Sequence, residues 1–362
     1  MASGNPIKRM FDLYTSELSF NEIERLIKKE SAAVYEFYKT EIPPVVPSQN
    51  KFKRALIFTR SLFNAFLLKL SAARRVFYLS ALLIFVIGLL VNNHAYLVFS
   101  FLIINILLAF ELADKLVVKD DLEMAKKIQT SLMPEVPPEN EHYTITAYSE
   151  AAQDVGGDYF DLIVSEKSGK TFIIIGDISG KGMAAALYMV RVQAIVHFLI
   201  ETHSDVKEII TELKKYFAKK LKREYFLTIT VASIDSNGKV RFCRAGHTPV
   251  LHYKKSKNEF AVLNPKGMGI GLNDKGMFEK VLEEETLETE KGDILFFYTD
   301  GVTEMMNMAR LQFGEERIKR IIMENADKSA EEIKEKILQT IKRFQGDAPV
   351  NDDLTLVLLK AK

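Results

Sequence analysis

Four segments in the second half of the chain hold the side chains best suited to chemistry. They are Val155-Gly-Gly-Asp-Tyr-Phe-Asp161, Gly176-Asp-Ile-Ser-Gly-Lys-Gly182, Tyr298-Thr-Asp-Gly301 and Asn351-Asp-Asp-Leu-Thr355. Carboxylate oxygens suit hard cations such as Mg²⁺ and Mn²⁺, and no clustered His and Cys spacing suggests zinc. Glycine stands beside Asp158, Asp177 and Asp300, where a missing Cβ lets the backbone approach a metal or its waters. One Gly-Asp pair is an ordinary turn signal. Four acidic turns, each abutting an apolar strand, read together as one oxygen-ligand metal site assembled from distant parts of the sequence.

Composition narrows the setting. The 49 Lys and Arg nearly cancel the 48 Asp and Glu, so no global charge draws the chain to nucleic acid. A length of 362 residues suggests two or more structural units, and a hydrophobic fraction of 48% supports a sizeable core. Cys243 is the single cysteine; it forms no internal disulfide, which fits a reducing compartment. It is not a Cys-x5-Arg phosphatase thiol, because Pro249 stands where the arginine would fall, and it reads as an ordinary strand residue.

Residues 1–70 read as a cytoplasmic helical region without a signal peptide. Ser19 and Glu22 have capping-box spacing ahead of a helical stretch to Tyr38, which Pro43, Pro44 and Pro47 stop. Leu56, Phe63, Phe66, Leu67 and Leu70 then recur at helical spacing, which fits either a helix along a membrane surface or a core helix. Residues 76–112 are almost wholly apolar, interrupted chiefly by Asn92-Asn93-His94. Two runs of roughly 16 residues, each about 24 Å as helix, predict a transmembrane helical hairpin, with a re-entrant or buried hairpin as the other reading. Lys69, Arg74 and Arg75 before it and Lys115 and Lys119 after it place both ends in the cytoplasm. Residues 113–135 predict a helical linker, with Leu112, Leu116, Leu122, Ala125, Ile128 and Leu132 at rough helical spacing. It either pairs with its copy in a homodimer or packs alone on the following domain. Pro134, Pro137 and Pro138 end it.

From residue 136 to 362 the pattern turns to short strands. Residues 143–149, 159–164 and 171–175 read as strands, followed by helices over 183–200 and 205–222. A hairpin over 226–234 and 240–244 turns at Asn237-Gly238, and strands follow at 250–253 and 260–263. A buried-type strand over 293–299, helices over 315–324 and 330–344, and a last strand over 354–359 complete the domain. Hairpins outnumber strand-helix-strand units, so the fold class is α+β with largely antiparallel sheets and helices packed outside.

From about Ala125 onward these residues resemble the PPM metal-dependent serine/threonine phosphatases, in their bacterial SpoIIE and RsbU branch. The matching motifs are Ile128-Gln-Thr-Ser-Leu-Met-Pro134, the 155–161 and 176–182 segments, Ala245-Gly-His247, Tyr298-Thr-Asp-Gly-Val-Thr-Glu304 and Asp352-Asp-Leu-Thr355. The resemblance implies an α-β-β-α sandwich with two Mn²⁺ or Mg²⁺ ions between the sheets. Asp177 would bridge both ions and Ile178 offer its carbonyl. Asp158 would serve one ion, and Asp300 and Asp352 the other, with Asp353 as the alternative to Asp352. Metal-activated water would attack phosphoserine or phosphothreonine in line, without a covalent enzyme intermediate, and the chain shows no activated nucleophile. Asp161 either supports the site or finishes its strand. His247 either fixes its loop or donates a proton to the leaving oxygen. Lys181 lies in no P-loop, and Thr303-Glu304 extends the acidic strand end. In this branch the usual substrate is a phosphorylated STAS-domain anti-sigma factor antagonist, here at the cytoplasmic membrane of a bacterium with the catalytic domain in the cytoplasm.

Two rival readings are weaker. Gly156-Gly-Asp-Tyr-Phe160 superficially resembles the GGDEF signature of diguanylate cyclases, but Tyr159 stands where they carry an acid. A catalytically silent, partner-binding signalling module on the same fold would be favoured by a missing ligand, and none is missing.

Overall fold

The computed structural model describes residues 51–134, 137–222 and 224–362, and the chain divides into two compact units between Val117 and Val118. The Ser19–Glu22 capping box and Pro43, Pro44 and Pro47 lie outside the described residues.

The first unit contains α1 (Lys51–Lys69), α2 (Ala72–Leu90) and the start of α3 (His94–Ser131). Phe63 and Phe66 of α1 place their rings 6.4 and 5.3 Å from that of Tyr78, so α1 packs on α2. Arg75 donates to the Leu67, Leu68 and Leu70 carbonyls at and just past the end of α1. Between α2 and α3 the chain turns at Asn92, whose φ is 52°. A Cβ on Gly88 would lie 3.0 Å from Tyr96 and Leu97, so the glycine permits the close approach of the two helices. The Ser100 hydroxyl donates to the Ala81 carbonyl across them at 2.7 Å.

The second apolar run and the linker lie on one helix, because α3 continues for 38 residues. No Gly or Pro falls between His94 and Ser131, so nothing interrupts the hydrogen-bond ladder, and the helix is about 57 Å long at 1.5 Å per residue.

The second unit is a two-sheet sandwich. Its strands are β1 (Tyr143–Glu150), β2 (Asp158–Val164), β3 (Thr171–Ile178), β4 (Leu227–Ile234), β5 (Val240–Ala245), β6 (Val250–Lys254), β7 (Glu259–Leu263), β8 (Glu284–Leu287), β9 (Ile294–Tyr298) and β10 (Leu354–Ala361). One sheet runs β1-β10-β9-β6-β7 and the other β2-β3-β4-β5-β8, every pairing antiparallel. Strands buried on both faces explain the near-continuous apolar runs. On β9, Leu295 and Phe297 enter the core between the sheets, while Ile294, Phe296 and Tyr298 face the outer layer. On β3, Ile173 and Ile175 point inward, and Phe172 and Ile174 meet α4 (Met183–Thr202) and α5 (Val206–Phe217). Helices α8 (Glu315–Glu324) and α9 (Ala330–Gln345) cover the other sheet; the short helices α6 (Phe278–Val281) and α7 (Asp300–Glu304) complete the set. The result is the α-β-β-α sandwich that the resemblance implies.

Small differences are informative. β8 was not expected, because Glu284 and Glu285 mask an edge strand exposed on alternate residues. Asp177 lies inside β3 and Asp158 opens β2, so two of the four acidic "turns" are strand positions. Asp300 opens α7, and Thr303-Glu304 belongs to that helix rather than to a strand end; Thr299 stands at its N-cap position while its N–H still donates to the Thr355 carbonyl.

Candidate functional site

Antiparallel pairing sets the start of one strand beside the end of its neighbour, and this gathers the acids. Asp158, first in β2, is the ladder partner of Asp177, near the end of β3. In the other sheet, Asp300 follows the end of β9, and Asp352-Asp353 precedes the start of its neighbour β10. The Thr299 hydroxyl donates to Asp158 Oδ2 at 2.8 Å and joins the two sheets at this end.

The carboxyl groups feel one another. Burial, then Asp300, Asp352 and Asp353, push the Asp177 carboxyl up to about 7, with Lys181 opposing. Asp158 is held well above the usual carboxylate range by burial and by Asp177. Asp300 is raised by partial desolvation and by Asp352.

The two acids of the last motif differ. Asp353 accepts from the backbone N–H of Ala152 at 2.7 Å, Gly157 at 2.7 Å and Asp158 at 3.4 Å, so it fastens the loop before β2. Asp352 lies 3.2 Å from the Lys181 ammonium, and Lys181 also donates to the Asn351 carbonyl. Glycines make room here: a Cβ on Gly156 would sit 2.6 Å from Asp353 Oδ2, and one on Gly301 would sit 1.9 Å from the Asp353 carbonyl.

The residues fit a hard cation by donor type and by one feature of shape. A Cβ on Gly157 would fall 2.7 Å from the Ile178 carbonyl oxygen, 3.2 Å from the Ala185 methyl and 3.3 Å from Asp177 Oδ1, so only glycine lets the backbone come this close to both oxygens. Among the described residues no three His, Cys, Asp or Glu side chains converge as a ready ligand set. Asp353 accepts from backbone amides, Asp158 from Thr299, and Asp352 pairs with Lys181.

Other candidates stand apart. Asp161 accepts from the Tyr159 hydroxyl at 3.0 Å and pairs with His197 of α4 at 2.7 Å, so it ties β2 to a helix. His247 is buried with Nδ1 2.9 Å from the Thr228 hydroxyl; burial, with Arg244 beside it, pushes its pKa down to about 3 and keeps the ring neutral. That favours the loop-fixing role. Cys243 is buried, and its thiol is pushed up to about 12, which suits an inert strand residue. Thr299 and Gln129 were not singled out as site residues, although both lie inside quoted motifs, Tyr298-Thr-Asp-Gly301 and Ile128-Gln-Thr-Ser-Leu-Met-Pro134.

The family profile of Stage II sporulation protein E (SpoIIE) matches residues 167–362, more than half of the chain. The chain belongs to the SpoIIE family. The match begins after Asp158, and the β2–β3 ladder is what joins that residue to the SpoIIE region. The phosphoserine phosphatase RsbU of Bacillus subtilis is 28% identical over 252 residues, which cover 68% of this chain and 71% of RsbU. Protein IcfG of Synechocystis is 26% identical over 306 residues, 75% of this chain, but the chain spans only 45% of IcfG. In fold, this SpoIIE-family protein is similar to the SiaA PP2C domain of Pseudomonas aeruginosa, with a TM-score of 0.58 at 20% identity, covering 68% of this chain and 98% of that one. It is also similar to the RsbU and RsbW domains of a Mycobacterium tuberculosis protein, with a TM-score of 0.53 at 22% identity, covering 64% and 62% of the respective chains. The second unit is a PP2C-type phosphatase domain.

Proposed function

We propose that this chain is a membrane-anchored, metal-dependent protein serine/threonine phosphatase acting on a phosphorylated cytoplasmic signalling protein. The observation that carries the reading is the pairing of Asp158 with Asp177 in one sheet, facing Asp300 and Asp352 from the other. In this reading Asp158, Asp177 and the Ile178 carbonyl, with Asp300 and Asp352, hold two Mn²⁺ or Mg²⁺ ions. Bound there, the ions supply Lewis acidity at phosphoryl oxygens and activate water. The chain's own residues orient this set: Asp353 holds the Gly157 and Asp158 amides, and Thr299 fixes the Asp158 carboxylate.

RsbU is a phosphoserine phosphatase by name, which supports phosphoserine as the reacting group. A STAS-domain anti-sigma factor antagonist is the substrate class we favour, from the branch of the family these motifs resemble. Anchoring is supported by α2 and α3, both long and apolar enough to cross a membrane. Exposed residues such as Leu112 and Leu116 on α3 support pairing with a second copy. The test is Mn²⁺-dependent release of phosphate from a phosphoserine protein by the full chain. Asp177→Asn is expected to lower the rate on the order of 100-fold or more; equal rates in variant and wild type would overturn the metal assignment.

A further inference from the structure

We infer that Lys181, between the end of β3 and the start of α4, is the phosphoryl-binding cation of the acidic site, contacting the peripheral oxygens of the substrate's phosphate. The inference rests on the phosphatase reading above.

A phosphate monoester is an anion, and here it must approach a cluster of carboxylates. A cation at the cluster eases that approach. Lys181 stands where the two sheets meet. Its ammonium lies 3.2 Å from Asp352 Oδ2 and also donates to the Asn351 carbonyl, so a side chain from the end of β3 reaches the segment ahead of β10 in the other sheet. The same charge reaches Asp177, Asp300 and Glu304, where it favours the ionised form against desolvation. Among the described residues, the other charges acting strongly on Asp177 and Asp300 are carboxylates.

The backbone around Lys181 is held while its side chain is open to solvent. Before it, the Ser179 N–H donates to the Phe226 carbonyl at 2.9 Å, and the Ser179 hydroxyl accepts from the Phe226 N–H at 2.8 Å. After it, α4 begins at Met183. Between these anchors Gly180 and Gly182 have φ of 97° and 73°, so the chain turns on either side of the lysine through conformations that glycine adopts without strain. The Lys181 side chain is 46% exposed. An ion pair so open to water adds little stability, so holding the fold does not account for a cation at this point. A lysine ammonium binds phosphate as a point charge on a flexible stem, and it can exchange the Asp352 carboxylate for a phosphoryl oxygen without moving the backbone. In this role Lys181 supplies charge and moves no proton.

The experiment uses the full chain in detergent micelles. Hydrolysis of p-nitrophenyl phosphate at saturating Mn²⁺ is measured with inorganic phosphate as inhibitor, and Mn²⁺ binding is followed separately by the paramagnetic resonance of free Mn²⁺. Lys181→Gln removes the charge, and Lys181→Arg keeps it. Lys181→Gln is expected to raise KM for p-nitrophenyl phosphate and the inhibition constant of phosphate about tenfold each, the size of one hydrogen bond to a charged group. Lys181→Arg is expected to hold both constants within about threefold of wild type, because a guanidinium also binds phosphate. The Mn²⁺ concentration for half-binding is expected to stay at or below the wild-type value in Lys181→Gln, since Asp352 loses a competing partner. A folded Lys181→Gln with wild-type KM and wild-type phosphate inhibition overturns the inference. So does a Lys181→Gln whose only change is weaker Mn²⁺ binding, which would leave Lys181 the task of placing Asp352, and so does an arginine variant no better than glutamine. Asp177→Asn serves as the control: if it binds Mn²⁺ as wild type does, the metal-site reading fails, whatever Lys181 does.

Discussion

Helices α3 and α4 are alike on paper and different in the molecule. Each has an 18-residue window apolar enough to cross a bilayer, yet 6% of that window is buried within the protein in α3 and 39% in α4. On α4 the buried residues Ala185, Met189, Val192, Val196 and Leu199 recur every three or four positions and press on Phe172 and Ile174 of β3. On α2 and α3, exposed apolar residues such as Leu79, Leu83, Phe101 and Leu102 find no such partner among the described residues. The lesson is that apolar composition reports a need for burial, and the surroundings decide what answers it. Polar residues already hint at the difference: α4 carries Arg191, Gln193 and His197 within its apolar run, where a spanning helix would meet a cost of several kcal/mol for the arginine.

The largest effect should come from charging the buried face of α4. Val196→Asp places an unpaired carboxyl where no water reaches, at about 4 kcal/mol or more. The phosphatase unit is then expected to lose its cooperative thermal transition and all activity; a wild-type melting temperature would show that this face is not held by burial.

A smaller and different outcome is expected on α3. Leu102→Asp alters an exposed position, so activity and the thermal transition of the phosphatase unit should persist. Its cost, roughly 3 kcal/mol, appears only in lipid, as a fall in the share of protein that stays with membranes after alkaline extraction. Unchanged membrane retention, or unfolding like that of Val196→Asp, would remove the distinction between the two helices.

The smallest effect is a pH dependence confined to α4. The hydrogen bond to Asp161 holds the His197 imidazole above its ordinary value, against partial burial. A raised folded value contributes stability below the unfolded value, about 6.5, and that contribution fades as pH rises through the folded value. His197→Gln should therefore lower the melting temperature more at about pH 5.5 than at about pH 9. A difference independent of pH would mean that the imidazolium adds nothing beyond packing. His197 is half exposed, so the shift is small.

Much of the fold was legible because each strand keeps its own local signal. Alternation along β3 and β9, the Asn237-Gly238 turn and the prolines after α3 all act within a few residues. The same locality explains what was missed. Glu284-Glu285 looks like loop until β5 supplies its ladder partner, and Asp300 looks like a strand end until Thr299 caps a helix. In the site, the four acidic segments stood out by residue type, whereas Asp161, equally acidic, turned out to serve α4 through His197.

Residue types and local spacing were enough to pick out the four acidic segments and most of the strand and helix pattern. They could not separate Asp352 from Asp353, adjacent and chemically identical. That distinction arises because the Asp353 carboxylate meets the Gly157 amide from 196 residues away, while its neighbour turns to Lys181. Nor could they assign Gln129 to Gly156. Hydrogen bonds and charge act over a few ångströms of space, and only the register of β2 on β3 and of β9 on β10 brings these partners within that range.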